Sequence, residues 1–379
     1  MEKIIPEYCM RFLFIIVNAL FVAKYSARIF PKGTIYITLA YIVIMVLALW
    51  KVMPWLTSNR KMSLGLSVFG VVAILMMIGM QAYIDPFSLQ VDRWSALHYP
   101  IDNLLHGKYP YSAQTHLGGY GSPFPIWQVL HIPFYLLGNV GLSFFFFLTV
   151  FLYTIYKSFG FNRVVYIMSL IVISPAIWYE AAVRSDYIGN ILLSVSFVIY
   201  ITNNISQDWV EKHRFSISTA VGLLACTRLI TLLPLFILLL PYWLKLSIRK
   251  KTDTVVTVII VCILAFLPIV LMDINSFFYS EYNPWTLQTR QGNPWMFLIY
   301  IPFFLYMAMQ WKGNVTHYYR NTAWSLAVFV SVSFLYRMYD SGNYDLFSSW
   351  YDITYYNAII PFACLCMSSK GKYSFDQLP

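Results

Sequence analysis

The residues best suited to chemistry lie in segment 85–125, which holds three Asp and three of the six His. Residues 95–106 carry apolar side chains at helical spacing, which predicts a short amphipathic helix with Asp92 just ahead of it. A carboxylate held in place by such a helix is well suited to act as a general base. Two alternatives stay open, because Asp92 could instead cap the helix or pair with Arg93.

A second group of charged residues is Glu180, Arg184 and Asp186, which stand where one apolar segment ends and the next begins. Charges at the end of a membrane span are commonly just solvated. Here, however, Arg184 and Asp186 run directly into the apolar segment that starts at Tyr187. Polar groups that reach into a helical bundle favour a functional site.

Arg228 is the third feature, since it lies inside the apolar run LLACTRLITLLPLF. An Arg in hydrocarbon costs about 2.5–3.5 kcal/mol unless it meets an anion. Its partner could be an internal acid such as Asp186. It could equally be the phosphate of a ligand, which suits a guanidinium well.

Segment 279–295 adds Trp285, Gln288 and Arg290. Aromatic rings beside polar donors are typical of a sugar-binding surface. Trp and Tyr also accumulate at membrane interfaces without any binding role. That second interpretation is the better one for most of the 12 Trp and 30 Tyr.

Metal and cofactor motifs are not apparent in the sequence. His98, His106, His116 and His131 do not follow a known ligand spacing, so a divalent metal is not supported. No Walker, Rossmann, Gly-x-Ser-x-Gly or His-Glu-x-x-His motif occurs, and we expect no cofactor. The five cysteines lack metal-ligand partners, and a disulfide framework is not expected.

The elements that must position these residues are membrane helices. The chain of 379 residues is 59% hydrophobic and only 11% charged, with a mean hydropathy of +0.62. A soluble domain carries about a quarter charged residues, so this composition predicts an all-α polytopic membrane protein. We expect one transmembrane domain over 1–379 with about 11–12 transmembrane helices. The candidate spans are roughly 11–30, 35–55, 63–84, 126–156, 163–180, 187–203, 254–272, 295–311, 322–337 and 353–368, with a helical hairpin at 217–244.

The positive charges indicate an orientation. Basic residues flank 217–244 on both sides, so we expect two short helices that fold back near Arg228 rather than a single crossing. Most of the 26 Lys and Arg then lie on one face, which places both termini in the cytoplasm. Segments 85–125 and 273–294 become external loops, and we expect the first span to be retained. The net charge of +10 is thereby explained without nucleic acid.

Three motifs together resemble a known family. DRW at Asp92–Trp94, GKYPY at Gly107–Tyr111 and GSPFP at Gly121–Pro125 resemble the first external loop of GT-C glycosyltransferases. They are most similar to the mannosyltransferase-like branches that use polyprenyl-phosphate sugars. Arg228 followed by Pro234 is similar to a basic-residue-then-proline pattern in a later helix pair of the same proteins.

The resemblance implies a GT-C-like fold and an inverting hexosyl transfer at the external face of the membrane. Asp92 would be the general base, and Arg228, with Arg184 or Arg290, would bind the phosphate of the donor. Further residues would contact the substrates: Arg93, Trp94, Asp102, Tyr111, His116, Tyr120, Asp186 and Gln288.

The partners and location that follow are a polyprenyl-phosphate sugar as donor and a glycan, glycolipid or protein as acceptor. The high aromatic content and the basic inner face fit a bacterial inner membrane, with the site facing the periplasm. An endoplasmic-reticulum membrane would leave the same charge asymmetry. The alternative function is a transporter or flippase for a lipid-linked saccharide, to which Arg228 and the external aromatics are equally suited. A third possibility, a subunit without chemistry, is disfavoured by the Arg in the apolar run.

Overall fold

The long uncharged runs of the sequence form long helices in the computed structural model. The structure describes residues 5–57, 60–289, 292–347 and 351–368. These residues are almost entirely helical and contain no β-strand, only an isolated antiparallel bridge between Gln114 and Tyr120. An all-α polytopic membrane protein is thereby confirmed.

The helices are numbered in chain order. They are α1 Ile5–Ile29, α2 Thr34–Leu47, α3 Met53–Thr57, α4 Arg60–Tyr83, α5 Ser95–Leu105, α6 Pro125–Leu136, α7 Leu142–Phe159, α8 Phe161–Val172, α9 Pro175–Ala182, α10 Tyr187–Asn204, α11 Gln207–Lys212, α12 Arg214–Ala225, α13 Leu232–Trp243, α14 Ile248–Met272, α15 Ile274–Tyr279, α16 Pro284–Thr289, α17 Phe297–Gln310, α18 Val315–Ser341 and α19 Ile359–Ser368.

Fewer helices than expected are long and apolar enough to cross a membrane alone. Within the described ranges there are six such segments, or seven if the pair α8 and α9, bent by 73°, forms one span. The predicted span 353–368 falls instead on a shorter apolar helix, Ile353–Ser368. The six are Glu7–Ile29, Pro31–Thr57, Arg60–Tyr83, Leu142–Phe159, Ile248–Met272 and Ile274–Gln310.

Two breaks in the predicted spans have local causes. The run 126–156 is divided because α6 ends at Leu136 and Gly138 adopts a left-handed φ of +81°. The segment 217–244 forms the two short helices α12 and α13, with Arg228 in extended backbone between them. The helical segment therefore breaks at Arg228, where the sequence analysis placed the turn of the hairpin.

The chain divides into two compact units. The first comprises Met1–Gly79, Leu152–Glu180 and Trp295–Pro379, and the second Met80–Phe151 and Ala181–Pro294. The candidate site residues that the structure describes all lie in the second unit.

The first unit buries polar side chains among its helices. Asn18 of α1 accepts hydrogen bonds from the Ser174 hydroxyl (2.5 Å) and from the Ala176 amide (3.3 Å), which satisfies a donor at the start of α9. Glu180 is fully buried and accepts a bond from the Asn357 amide (2.8 Å). The structure therefore makes Glu180 a core residue of this unit rather than a solvated charge at a span end.

The second unit has an aromatic core where the loop after α5 meets α12, α14 and α15. Gly121 lies at the tightest approach in this loop, since a Cβ there would stand 2.1 Å from the carbonyl oxygen of Ala96. The buried side chains of this core are Tyr109, Tyr111, Phe124, Cys226, Phe266, Ile269 and Phe277.

Candidate functional site

Asp92 lies at the start of α5. Its carbonyl oxygen accepts bonds from the Ala96 amide (2.8 Å) and the Ser95 hydroxyl (3.1 Å), so its backbone begins the helix. The helix runs over Ser95–Leu105, close to the predicted 95–106. The indole of Trp94 donates to the carbonyl of Pro86 (2.9 Å) and thereby fixes the segment that precedes α5.

The carboxylate of Asp92 is partly exposed and has few partners. Its Oδ2 accepts a hydrogen bond from the Thr115 hydroxyl (3.2 Å). Among the described residues it accepts no other side-chain bond and forms no ion pair, and no side chain caps α5. The two alternatives for Asp92, a helix cap and an ion pair with Arg93, are both absent from this part of the chain.

His116 fastens the loop beside Asp92 to α5. Its Nδ1 lies 2.7 Å from the Ser95 hydroxyl and its Nε2 lies 3.0 Å from the carbonyl oxygen of Leu89. Its ring stacks on Trp94, with centroids 5.5 Å apart. Both ring nitrogens are therefore engaged in positioning the loop.

Tyr120 forms a polar aromatic surface on the same loop. Its hydroxyl donates to Glu281 Oε1 (2.9 Å) and accepts from the Gln114 amide (3.2 Å). The ring of Tyr282 lies 5.1 Å from that of Tyr120. This arrangement presents aromatic faces beside exposed polar groups.

Tyr111 of the GKYPY motif and Gln288 of α16 bond to the backbone of the loop. The Tyr111 hydroxyl donates to the carbonyl of Pro123 (3.0 Å), and the Gln288 amide donates to that of Ser122 (2.7 Å). Tyr111 has no exposed surface, and burial raises the pKa of its phenol. Its complete burial argues against the expected contact with a substrate.

Arg228 is paired with Asp186, the internal acid that the sequence left as an alternative to a ligand phosphate. Its Nη2 lies 2.6 Å from Oδ2 and 2.9 Å from Oδ1, and its Nε lies 3.0 Å from Oδ2. Both side chains are buried, at 7% and 3% exposure. Among the described residues the Nη1 group of Arg228 has no hydrogen-bond partner.

Trp127 completes this buried group by donating its indole N–H to Asp186 Oδ2 (2.6 Å). Burial alone would raise the pKa of Asp186. The charge of Arg228 and the hydrogen bonds from Arg228 and Trp127 outweigh that effect and hold the pKa of Asp186 below the usual value. Asp186 is thus a buried anion that is bonded to Arg228 and to Trp127.

The Gly121–Pro125 motif connects Arg228 to the rest of the loop. The amides of Phe124 and Ile126 donate to the carbonyls of Thr227 (3.0 Å) and Cys226 (3.2 Å), at the break between α12 and α13. Two backbone carbonyls of the break are therefore hydrogen-bonded to the segment at the start of α6. Within the described residues, no hydrogen bond or ion pair joins Asp92 directly to Arg228.

The remaining predicted site residues are Arg184, Asp102, Arg93 and Arg290. Arg184 donates through Nη2 to the carbonyls of Gln81 (2.5 Å) and Ile84 (3.0 Å), so it is bonded to the end of α4. Asp102 of α5 accepts a hydrogen bond from the Tyr135 hydroxyl (2.5 Å). Arg93 is half-buried, and Arg290 lies outside the described residues.

No three His, Cys, Asp or Glu side chains in the described ranges are close enough to hold a metal ion.

Thr115 and Trp127 were missed by the sequence analysis. Neither belongs to a charged or periodic pattern, and only the short GSPFP motif just before Trp127 marked its neighbourhood.

No protein-family model, curated protein or solved structure matches this chain.

Proposed function

We propose that this chain is an integral-membrane glycosyltransferase of the GT-C type. It moves a sugar from a polyprenyl-phosphate donor to an acceptor hydroxyl with inversion at the anomeric carbon. The proposal rests on the resemblance of the loop motifs to this family, and on the geometry around Asp92. The buried Arg228 supports it as a second, separate feature.

The observation that carries the proposal is the carboxylate of Asp92. It is exposed to solvent in part, it is free of ion pairs among the described residues, and only its Oδ2 is held. An acidic side chain that keeps one oxygen free, on a loop fixed by a helix, is suited to accept a proton from a bound hydroxyl. Its Oδ1 is the oxygen available for that step.

In the reaction, the acceptor oxygen attacks the anomeric carbon of the donor while its proton passes to Asp92. The bond between the anomeric carbon and the phosphate oxygen breaks, and the lipid phosphate leaves with that electron pair. A phosphate leaving group is stabilised by cations and does not require an acid to protonate it.

Arg228 is the cation to which we assign the leaving phosphate. Asp186 takes the Nε and Nη2 edge of the guanidinium. The Nη1 group remains for a phosphate oxygen, and the guanidinium is already oriented by its bidentate partner. Arg184 and Arg290 are the further cations of this proposal, and a bacterial inner membrane with an outward-facing site is its setting.

A transfer assay with purified protein in detergent tests the function. Synthetic polyprenyl-phosphate mannose, glucose and galactose are offered as donors, with alkyl glycosides and Ser-containing peptides as acceptors, and products are followed by mass spectrometry. We expect Asp92→Asn to abolish transfer. Removal of a general base costs about 10²–10⁴-fold in rate.

The matched control is Asp85→Asn, because Asp85 is an exposed acid of the same loop whose carboxylate accepts a hydrogen bond from the Phe87 amide (3.1 Å). That variant should transfer at the wild-type rate. Full activity of Asp92→Asn would remove the proposed base. Donor binding without cleavage, unchanged by Asp92→Asn, would favour the transporter.

A further inference from the structure

Thr115 is the residue whose side chain holds Asp92, and its hydroxyl has a defined direction. The amide of Gly119 donates to Thr115 Oγ1 (3.0 Å), and Thr115 Oγ1 lies 3.2 Å from Asp92 Oδ2. A hydroxyl has one hydrogen to donate and can accept with its lone pairs. Because the Gly119 amide occupies a lone pair, the hydroxyl hydrogen is left to point at the carboxylate.

The backbone around Thr115 is a tight turn that keeps this hydroxyl in place. The amide of Thr115 donates to the carbonyl oxygen of Gly119 (2.7 Å). The amide of Gly118 donates to the carbonyl oxygen of Thr115 (2.9 Å). Gly118 adopts a left-handed φ of +81°, which favours glycine at this position. Thr115 is only 5% exposed, so it is shielded from a ligand.

Gly119 brings the turn close to the carboxylate. A Cβ at this position would stand 3.0 Å from Asp92 Oδ2 and 3.4 Å from Thr115 Oγ1. The backbone of Gly119 does not adopt a left-handed φ, so a side chain here would change the space beside the carboxylate and not the backbone conformation. Any side chain would press on the bond between Thr115 and Asp92.

We propose that Thr115 is a positioning residue for the reaction, and that the turn 115–119 orients Asp92 for proton transfer. The inference rests on the proposed function of Asp92. Two consecutive hydrogen bonds, from the Gly119 amide to the Thr115 hydroxyl and from that hydroxyl to the carboxylate, fix Oδ2 of Asp92. Rotation of the carboxylate is thereby restricted, and Oδ1 stays directed to the acceptor hydroxyl.

The expected effect is on turnover rather than on binding. Thr115 is buried and does not contact a substrate, so its loss should leave KM for donor and acceptor unchanged. A base that is no longer held loses productive alignment. We expect kcat to fall about ten- to hundredfold, the range for one charge-assisted hydrogen bond.

The experiment compares Thr115→Val, which removes the hydroxyl at nearly equal size, with Thr115→Ser, which keeps it. We expect the Val variant to lose kcat at unchanged KM, and the Ser variant to recover most of it. A wild-type kcat in a folded Thr115→Val protein would overturn the inference. So would an equal loss in both variants, since the hydroxyl would then not matter.

Gly119→Ala gives an independent test if Thr115→Val cannot be recovered folded. Its methyl group would displace the carboxylate while Thr115 stays in place, so the same fall in kcat at unchanged KM is expected. Normal turnover by Gly119→Ala would then overturn the inference. Failure of the proposed function is distinguishable, because in that case Asp92→Asn is as active as the wild type or the wild type transfers no sugar.

Discussion

The guanidinium of Arg228 and the carboxylate of Asp186 form a buried bidentate ion pair, 42 residues apart in the chain, with Nη2 and Oδ2 at 2.6 Å. Arg228 stands at the break between α12 and α13, and Asp186 precedes α10. Trp127 of α6 donates to the same oxygen. One buried pair therefore joins three separate parts of the second unit.

Replacement of Asp186 by Asn should destabilise the protein strongly. It leaves the Arg228 charge buried without its counterion, which costs about 3–5 kcal/mol in the free energy of unfolding. Unfolding of the purified variant in detergent, followed by intrinsic Trp fluorescence, measures this loss.

The matched control is Asp253→Asn, at the pair in which Asp253 Oδ2 lies 3.3 Å from Arg214. Its side chains are 24% and 30% exposed, so solvent screens the interaction and the loss should stay below about 1 kcal/mol. Equal losses of unfolding free energy in Asp186→Asn and Asp253→Asn would contradict the expectation that the buried pair contributes more to stability.

Gly121→Ala should disrupt the loop that carries Asp92. The new Cβ would stand 2.1 Å from the carbonyl oxygen of Ala96, and a backbone atom within α5 cannot move aside as a side chain can. We expect a loss of about 1–3 kcal/mol or more in the free energy of unfolding, together with loss of transfer. Gly65→Ala is the control, because nothing lies within 4 Å of its Cβ position and an Ala inside α4 favours the helix. A Gly121→Ala protein as stable as wild type would disprove the close approach.

The sequence was informative wherever a local pattern fixes the structure. The helix after Asp92 was predicted from apolar spacing, and its start agrees with the structure. The break at Arg228 was predicted from a charge inside an apolar run with basic residues on both flanks. Both features depend on near neighbours in the chain, and for that reason they can be predicted from sequence.

The partners of the polar side chains could not be predicted in the same way. Tyr111 is part of a motif, yet only the fold shows that its hydroxyl donates a hydrogen bond to the carbonyl of Pro123. Trp127 and Thr115 carry no signal of their own, because their roles arise from residues 59 and 23 positions away. Asp186 was expected both as the partner of Arg228 and as a ligand contact, and only the packing of α10 against the break gives its present partner.

The stability of the α5 region should depend on pH through His98. Burial lowers the pKa of His98 below its usual 6.5, and the nearby charge of Asp102 opposes this effect in part. Above pH 6.5 the histidine is neutral in both folded and unfolded chains, so its contribution is constant. As the pH falls below 6.5 the unfolded chain binds a proton more readily than the folded one, and stability is lost.

Thermal unfolding at pH 7.5 and pH 5.5 measures this effect in the wild type and in His98→Gln. The wild type should be less stable at pH 5.5, and the variant should show a smaller difference between the two values. The ring of His98 packs on Tyr135, with centroids 4.8 Å apart, so the variant should also be less stable than wild type at pH 7.5. An unchanged pH dependence in His98→Gln would exclude His98 as its source.

Arg228→Lys separates the structural role of Arg228 from its proposed role in donor binding. A Lys ammonium can satisfy the charge of Asp186, but it is a compact donor without the planar fork of a guanidinium. Its three N–H groups all lie on one nitrogen, so no donor is held at the position of Arg228 Nη1 to bind a phosphate oxygen. The variant should therefore fold, with a stability closer to wild type than that of Asp186→Asn. Its dissociation constant for a polyprenyl phosphate should rise about tenfold, the effect of about 1.4 kcal/mol.

Binding of a fluorescent polyprenyl phosphate to the purified protein measures the constant, and Arg214→Lys is the control. Arg214 also pairs with an Asp, but that pair is partly exposed and lies outside the proposed site. Its substitution should leave the affinity unchanged. If Arg228→Lys binds the lipid phosphate as tightly as wild type does, Arg228 serves the fold through Asp186 alone, and the phosphate must be bound by other cations.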